Sequence, residues 1–256
     1  MKKLINYIIF CFILVIFVSF IAFNAIQKRP VAIIGAMDVE INEVLNNLTK
    51  PKTIKDNGFE ITTGKLGKHK IVLSKCGVGK VNSAITTQYI IDNYHPKYII
   101  NTGIAGSLNG ELKAGDLIIA HKTVQHDFDV TAFGNPRGYI DNGTEPDKPT
   151  FFHSDKNLTE KFVNNLQNVF VGTIATGDIF VNDEGLKEQI RNDFNADATD
   201  MESAAIVQTA ERNNVPVIIL RTISDSENNS TDEYKQNKKS SAEQSALNII
   251  EILKKF

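Results

Sequence analysis

Three short runs constrain this chain more than any other feature: VAIIG at Val31–Gly35, YIIN at Tyr98–Asn101 and VIIL at Val217–Leu220. They are apolar almost throughout instead of alternating, so a strand built from them has no face it can leave in water. Such strands belong in a sheet covered by helices on both sides. Amphipathic stretches able to supply the cover follow them: Asp38–Leu48, Gly79–Asn93, Asn157–Leu166, Glu184–Asp193, Ser203–Asn213 and Ala242–Lys255. Further strands are expected at Phe59–Lys65, Lys70–Lys75, Asp116–Ala120 and Phe170–Thr176, with the second and third apolar runs extending over Tyr98–Thr102 and Val215–Ile223. The expected fold is α/β, a three-layer αβα sandwich around a central mixed, mostly parallel sheet, in one domain over residues 30–256.

Two stretches break the pattern. Residues 121–155 carry Gly134, Pro136, Gly138, Gly143, Pro146 and Pro149 with no apolar period, and a loop of that length in a compact domain is usually functional or mobile. Residues 224–240, SDSENNSTDEYKQNKKS, are polar enough to be read as a second mobile loop. Either is a candidate cover for a ligand.

Residues 1–29 differ from the rest. Lys2 and Lys3 precede seventeen residues, Tyr7–Phe23, in which Ser19 is the only clearly polar one, the pattern of an export signal or membrane anchor. Phe23 stands where signal cleavage wants a small residue, which favours an uncleaved anchor with the domain outside the cytoplasmic membrane. Beyond that segment Cys76 is the only cysteine, so no disulfide framework is possible within the domain. A formal net charge of −2 argues against a nucleic-acid partner.

The candidate chemistry lies where strands end. GAMDVE at Gly35–Glu40 turns on a glycine and places Asp38 and Glu40 at a helix amino terminus, where capping alone would justify both acids. NTGIAGSL at Asn101–Leu108 is a glycine-rich turn after a buried strand. DMES at Asp200–Ser203 brings Met201 and Glu202 to the start of a helix, and RTISD at Arg221–Asp225 puts Ser224 and Asp225 just past the last buried strand. In open α/β sheets ligands bind beyond the carboxyl ends of strands. Four such ends, three of them delivering carboxylates, point to one site.

GAMDVE, NTGIAGSL, HDFDVTAFG, TGDIFVND, DMES and RTISD, taken in this order from Val31 to the carboxyl end, resemble the 5′-methylthioadenosine/S-adenosylhomocysteine nucleosidases. The resemblance implies hydrolysis of the bond between adenine N9 and ribose C1′, without metal or cofactor. It casts Asp225 as the acid that protonates adenine and Glu40 as the group that activates water. Met201 and Glu202 would hold the ribose hydroxyls, Phe180 would stack on adenine, and the Val181 backbone would read its edge. Ser224 and Arg221 would support the acid. Ile104 stands where many members carry Ser, and Asn135 where an aromatic is frequent, so ribose contacts and the choice of 5′ substituent are where this chain departs from the pattern. The family's homodimers further imply that Val130 and Phe133 act across the interface on the neighbouring subunit's site.

Two other readings compete. A nucleoside phosphorylase on the same fold needs arginines beside the sugar to clamp phosphate, and only Arg221 falls in a site motif. An exported adhesin for anionic polysaccharide would use basic clusters such as Lys65, Lys68 and Lys70 or Lys235, Lys238 and Lys239, though charge runs are usually only solvated faces.

Overall fold

The computed structural model describes Cys11, Phe12, Leu14, Val15 and residues 28–141, 147–226 and 231–256; the expected leader therefore lies almost wholly outside the described residues. Among the described residues no helix is long and apolar enough to cross a membrane. The chain runs β1 (Val31–Gly35), α1 (Asp38–Asn47), β2 (Thr49–Asp56), β3 (Phe59–Leu66), β4 (His69–Lys75), α2 (Lys80–Tyr94), β5 (Tyr98–Ser107) and β6 (Leu117–Gln125). A single 3₁₀ turn (Thr131–Phe133) leads to β7 (Phe151–His153), α3 (Lys156–Val163), β8 (Val169–Thr176), α4 (Glu184–Phe194), β9 (Ala198–Asp200), α5 (Ser203–Arg212), β10 (Val217–Asp225) and α6 (Thr231–Lys255).

All ten strands form one mixed sheet. Its spine, β4-β1-β5-β10, is parallel, and β3 and β2 extend it antiparallel on one side. On the other side the sheet closes on itself. β10 pairs with β6, β6 with β8, β8 with β9, and β9 returns to the end of β5 at Gly106 and Ser107. Because β5 is ten residues long, its first half serves the open sheet and its last residues complete the ring.

The two faces of the spine part the core as the apolar runs require. Ala32, Ile34, Ile99, Val217 and Ile219 pack towards α2 and α5 through Ile90, Ile206 and Val207. Val31, Ile33, Ile100, Ile218 and Leu220 pack towards α1, α3 and α6 through Val44, Phe162, Ala246 and Ile249. Alternate residues of one strand thus serve opposite layers, and period 2 makes that unavoidable. A third cluster seats α4 against the ring through Ile190, Phe194, Val124 and Ala175.

Two expectations need correction, and one strand had no signal in the sequence. The described part of residues 224–240 differs from the expected mobile loop: Ser224 and Asp225 belong to β10, and α6 begins at Thr231, well before the expected Ala242. Good helix formers with Lys235–Asp232 and Lys239–Glu243 pairs hold the exposed turns, and Asn237 and Ser241 bond back to the β10 carbonyls of Ser224 and Ile223. Residues 121–155 are shorter as a loop than expected, since β6 continues to Gln125 and β7 pairs with it. β2, TKPKTIKD, is exposed along its whole length and carries no apolar signal; pairing with β3 alone makes it a strand.

Candidate active site

The carboxyl ends of β1, β5, β9 and β10 meet around a cavity. Its lining includes Glu40, Ile104, Phe180, Val181, Met201, Glu202, Ser224 and Asp225, so the structure brings together most of the residues singled out in the sequence. Asp200 and Tyr234 complete the polar and aromatic wall.

Glu40 sits at the third residue of α1 and reaches back over its amino terminus. Its Oε2 accepts from the backbone N–H of Ala36 at 2.7 Å and Met37 at 2.9 Å, and its Oε1 accepts from Ile104 N–H at 3.2 Å. The capping role foreseen for this residue is real, yet Glu40 also lines the cavity and is buried. Burial raises its pKa above the ordinary carboxylate value, against the opposing pull of Arg221 and the three N–H groups. Gly35 makes the approach possible, because a Cβ there would stand 2.7 Å from Ile41 and 3.1 Å from the Glu40 Cβ.

Glu202 was open to the same bland reading and escapes it. It is the residue preceding α5, but its side chain makes no capping bond to that helix. Instead Oε1 accepts from Gly79 N–H at 2.9 Å, and Oε2 lies 3.6 Å from Arg221. Burial drives its pKa up; Asp200 and Glu40 push the same way, while Arg221 opposes them.

Arg221 does not line the cavity. It stands fully buried behind the wall, where its Nε and Nη2 hold Asp200 Oδ2 at 2.9 and 2.7 Å. Nη2 also reaches Asn101 Oδ1 at 2.7 Å, and Nη1 donates to the Thr102 carbonyl at 2.8 Å. Asp200 is held in turn by the Thr176 hydroxyl at 2.6 Å and by the Ser203 hydroxyl. Gly103 leaves room for this cage: a Cβ there would overlap Arg221 Nη1 and stand 2.5 Å from Glu40 Oε1. Asn101, Thr176, Asp200 and Ser203 were not foreseen as site residues, although Asn101, Thr176 and Asp200 open three of the quoted motifs.

Asp225 faces a sparser environment. The register of β10 against β5 slips between Ile223 and Asp225, so Ser224 is an extra residue at a bulge. A bulge re-aims the side chains that follow it, which is why Asp225 enters the cavity from within a strand and not from beyond it. The Ser224 hydroxyl donates to Asp225 Oδ1 at 2.6 Å. Burial raises the Asp225 pKa, with Ser224 and Lys187 opposing and Glu233 assisting the rise. A Cβ on Gly106 would stand 2.9 Å from Oδ2, so a bare backbone at that position keeps the second oxygen accessible.

Phe180 is 42% exposed and meets Tyr234 edge-on, ring centroids 5.1 Å apart. Tyr234 escaped the sequence analysis because it sits in the polar stretch taken for a loop. Val130 and Phe133 lie on the loop after β6 and do not line this cavity; Phe133 is 84% exposed. Among the described residues no cluster of His, Cys, Asp and Glu is arranged to hold a metal. The Cys76 thiol, pushed well above its usual range chiefly by burial, is a poor nucleophile.

Residues 30–256 match the Phosphorylase superfamily. The 5′-methylthioadenosine/S-adenosylhomocysteine nucleosidase of Bacillus subtilis is 39% identical over 200 residues, covering 76% of this chain and 84% of that protein. Among solved structures, the nucleosidase of the same name from Neisseria meningitidis, in complex with methylthio-immucillin-A, superposes with a TM-score of 0.83 at 35% identity. It covers 89% of this chain and 100% of its own. The futalosine hydrolase of Helicobacter pylori superposes equally well, TM-score 0.84, at 28% identity over 90% of this chain and 99% of that one.

Proposed function

Because the chain belongs to the phosphorylase superfamily, in its 5′-methylthioadenosine/S-adenosylhomocysteine nucleosidase family, we propose that its cavity splits 5′-methylthioadenosine and S-adenosylhomocysteine into adenine and the 5′-substituted ribose. The protein is an N-glycosyl hydrolase. The observation that carries the assignment of roles is the convergence of Glu40, Glu202 and Asp225, from three separate strand ends, on one cavity walled by Phe180.

As the N9–C1′ bond breaks, its electron pair goes to adenine and the ribose gains oxocarbenium character. Asp225, kept above its ordinary pKa by burial, delivers a proton towards adenine N7 from Oδ2 while Ser224 bonds Oδ1. Glu40 orients a water molecule and takes its proton as the oxygen adds to C1′. Glu202, anchored by Gly79 N–H, accepts from the ribose hydroxyls with Met201 beside it. Phe180 stacks on adenine and the Val181 backbone reads its edge. Ile104, in place of a more usual Ser, gives the ribose an apolar neighbour and one fewer side-chain hydrogen bond.

The phosphorylase reading is disfavoured by the state of Arg221. Among the described residues no Lys or Arg lines the cavity, and Arg221 behind it is engaged by Asp200, Asn101 and Thr102, so none of these residues offers a phosphate clamp. Incubation with 5′-methylthioadenosine, with and without phosphate, decides: free 5-methylthioribose at an unchanged rate is expected, and a sugar 1-phosphate made only with phosphate would overturn the hydrolase. Futalosine offered in competition separates this reading from that of the Helicobacter neighbour.

We further infer a homodimer in which Val130 and Phe133 cover the partner's cavity. In support, Val81 and Ile85 are 71% and 51% exposed one turn apart on α2, beside a groove between α2 and α5. Mixing inactive Asp225→Asn subunits with inactive Phe133→Glu subunits should restore activity; no restoration after subunit exchange would sink the shared site. Residues 7–23 are read as an anchor that holds the domain outside the cytoplasmic membrane, as the basic start and apolar run favour. Protease added to intact cells, or to spheroplasts where an outer membrane is present, should digest the domain, and full protection until lysis would overturn the placement.

A further inference from the structure

The cavity opens at the carboxyl ends of β1 and β5, and the opposite end of the same strands has a different character. We propose that this opposite end is a docking face for an anionic lipid bilayer, on which the domain lies with its cavity directed away from the membrane. The proposal rests in part on the anchoring read from residues 7–23.

The face is assembled from segments far apart in sequence. Lys28, Arg29 and Pro30 lead into β1, and Lys97 N–H, ahead of β5, bonds the Pro30 carbonyl at 2.9 Å. The turn from β3 to β4 brings Lys65, Lys68 and Lys70 to the same end. Gly67 of that turn approaches the α6 backbone at Leu253 and Lys254, and the last turn of α3 joins there, with Lys161 Nζ 3.5 Å from the centre of the Phe256 ring. Lys97 Nζ lies 3.4 Å from His69 Nδ1. Beside this cluster a groove lined by Lys28, Lys50, Lys65 and Lys70, with no acid in its lining, runs past Pro30.

Of the acids at this end, Glu251 pairs with Lys255 at 2.6 Å, Glu160 lies 3.9 Å from Lys156, Asp155 caps α3 through Leu158 N–H and Asp92 accepts from Gln88; none of them lines the groove that holds Lys28, Lys50, Lys65 and Lys70. Burial first, then Lys97, Lys68 and Lys161, bring the His69 pKa down to about 4. The bland account is that lysines complement helix carboxyl ends. It covers Lys161, Lys254 and Lys255. It does not cover Lys28, Arg29, Lys50, Lys65, Lys68 or Lys70, which are exposed and on strands, turns or the incoming chain.

The tether selects a bilayer over other polyanions. Only Asn24–Gln27 separate the apolar run ending at Phe23 from Lys28, and four extended residues reach about 14 Å at most. An anchored chain therefore keeps the end that carries Lys28 near the membrane surface. Each Lys or Arg close to an anionic bilayer strengthens attachment roughly fivefold, an effect that decays within a Debye length of about 8 Å.

The test uses residues 28–256, a complete folding unit, since 89% of this chain covers the whole of the Neisseria structure. Without the leader, its outcome is separate from that of the protease experiment. Flotation with phosphatidylcholine vesicles, and with vesicles containing about a third phosphatidylglycerol, is measured at low salt for three proteins: the parent, Lys65→Glu/Lys68→Glu/Lys70→Glu, and a control with the same charge change elsewhere, Lys113→Glu/Lys235→Glu/Lys239→Glu. Unfolding temperatures verify that all three fold. The parent should prefer anionic vesicles at least tenfold, the first variant should lose that preference, and the control should change it less than threefold. No preference in the parent, or an equal loss in the control, overturns the proposal. So does loss of heparin retention in the first variant when the parent ignores vesicles, which would assign the face to a polysaccharide.

Discussion

The two ends of the cavity are built on opposite principles. Around Glu202 and Glu40 the hydrogen bonding is dense: one buried guanidinium serves Asp200, Asn101 and Thr102, and backbone N–H groups from Ala36, Met37, Gly79 and Ile104 hold the carboxylates. Around Asp225, among the described residues, the Ser224 hydroxyl bonds the carboxylate, Gly106 clears space beside its other oxygen, and Phe180 and Tyr234 meet edge-on nearby. Where a sugar is to be held and water activated, fixed charge and fixed dipoles are useful, because they need not reorganise during the reaction. Where a proton is to be given away, the carboxyl must keep it first, and sparse solvation achieves that.

The sharpest way to break this contrast is Asp225→Asn. An amide keeps a hydrogen bond to the base but has no proton to deliver, so kcat should fall about 10²- to 10⁴-fold with KM changed only a few-fold. Steady-state kinetics with 5′-methylthioadenosine check it, and a kcat near that of the parent would leave the sparse end without a function.

Arg221→Met probes the crowded end, and its damage should appear in stability. Removing the guanidinium strands Asp200 and its neighbours as buried, unpaired acids, at a cost of about 3–5 kcal/mol. Urea unfolding measures this. A loss below 1 kcal/mol would mean that the hydrogen bonds of Thr176 and Ser203 hold Asp200 without the cation.

A smaller effect is expected from Gly103→Ala. Its Cβ would press on Arg221 Nη1 and Glu40 Oε1 together, and overpacking of this kind costs about 1–3 kcal/mol. Denaturant midpoints and kcat should fall together; unchanged kcat in a destabilised protein would uncouple the cage from water activation.

Ser224→Ala should have the mildest effect, felt through pH. The hydroxyl favours the ionised form of Asp225, so its loss moves the alkaline limb of kcat/KM to higher pH while the plateau changes less than about threefold. The same shift has a stability signature. With the folded pKa above the ordinary 3.8, the folded state binds more protons than the unfolded one, so stability falls as pH rises from 3.8 through the folded pKa. In Ser224→Ala that fall should extend to higher pH, and Asp225→Asn should lose this residue's share of it, keeping the share due to Glu40 and Glu202. Melting temperatures across the range distinguish the three proteins, and coincident curves would remove Ser224 from any part in tuning the acid.

Much of this was legible without coordinates because the controlling physics is local. Apolar runs such as VIIL cannot sit at a surface, so the buried parallel spine and its two helical layers follow from them. The motifs at strand ends named Glu40, Glu202, Ser224 and Asp225, since a carboxylate beyond a buried strand is either a cap or a site and several together favour a site. Tertiary structure decided the rest. The ring through β9 depends on β5 being long enough to pair twice, and β9 has only three residues with no pattern to betray it. Asp200 reads as one more helix-terminus acid until Arg221, twenty-one positions away, is seen to close on it. Tyr234 was hidden in a polar run that is helical in the folded chain, where Asn237 and Ser241 find acceptors on β10. Periodicity and residue chemistry are properties of short segments and can be read from them, whereas a hydrogen bond between distant segments exists only once the chain has folded and placed its two ends together.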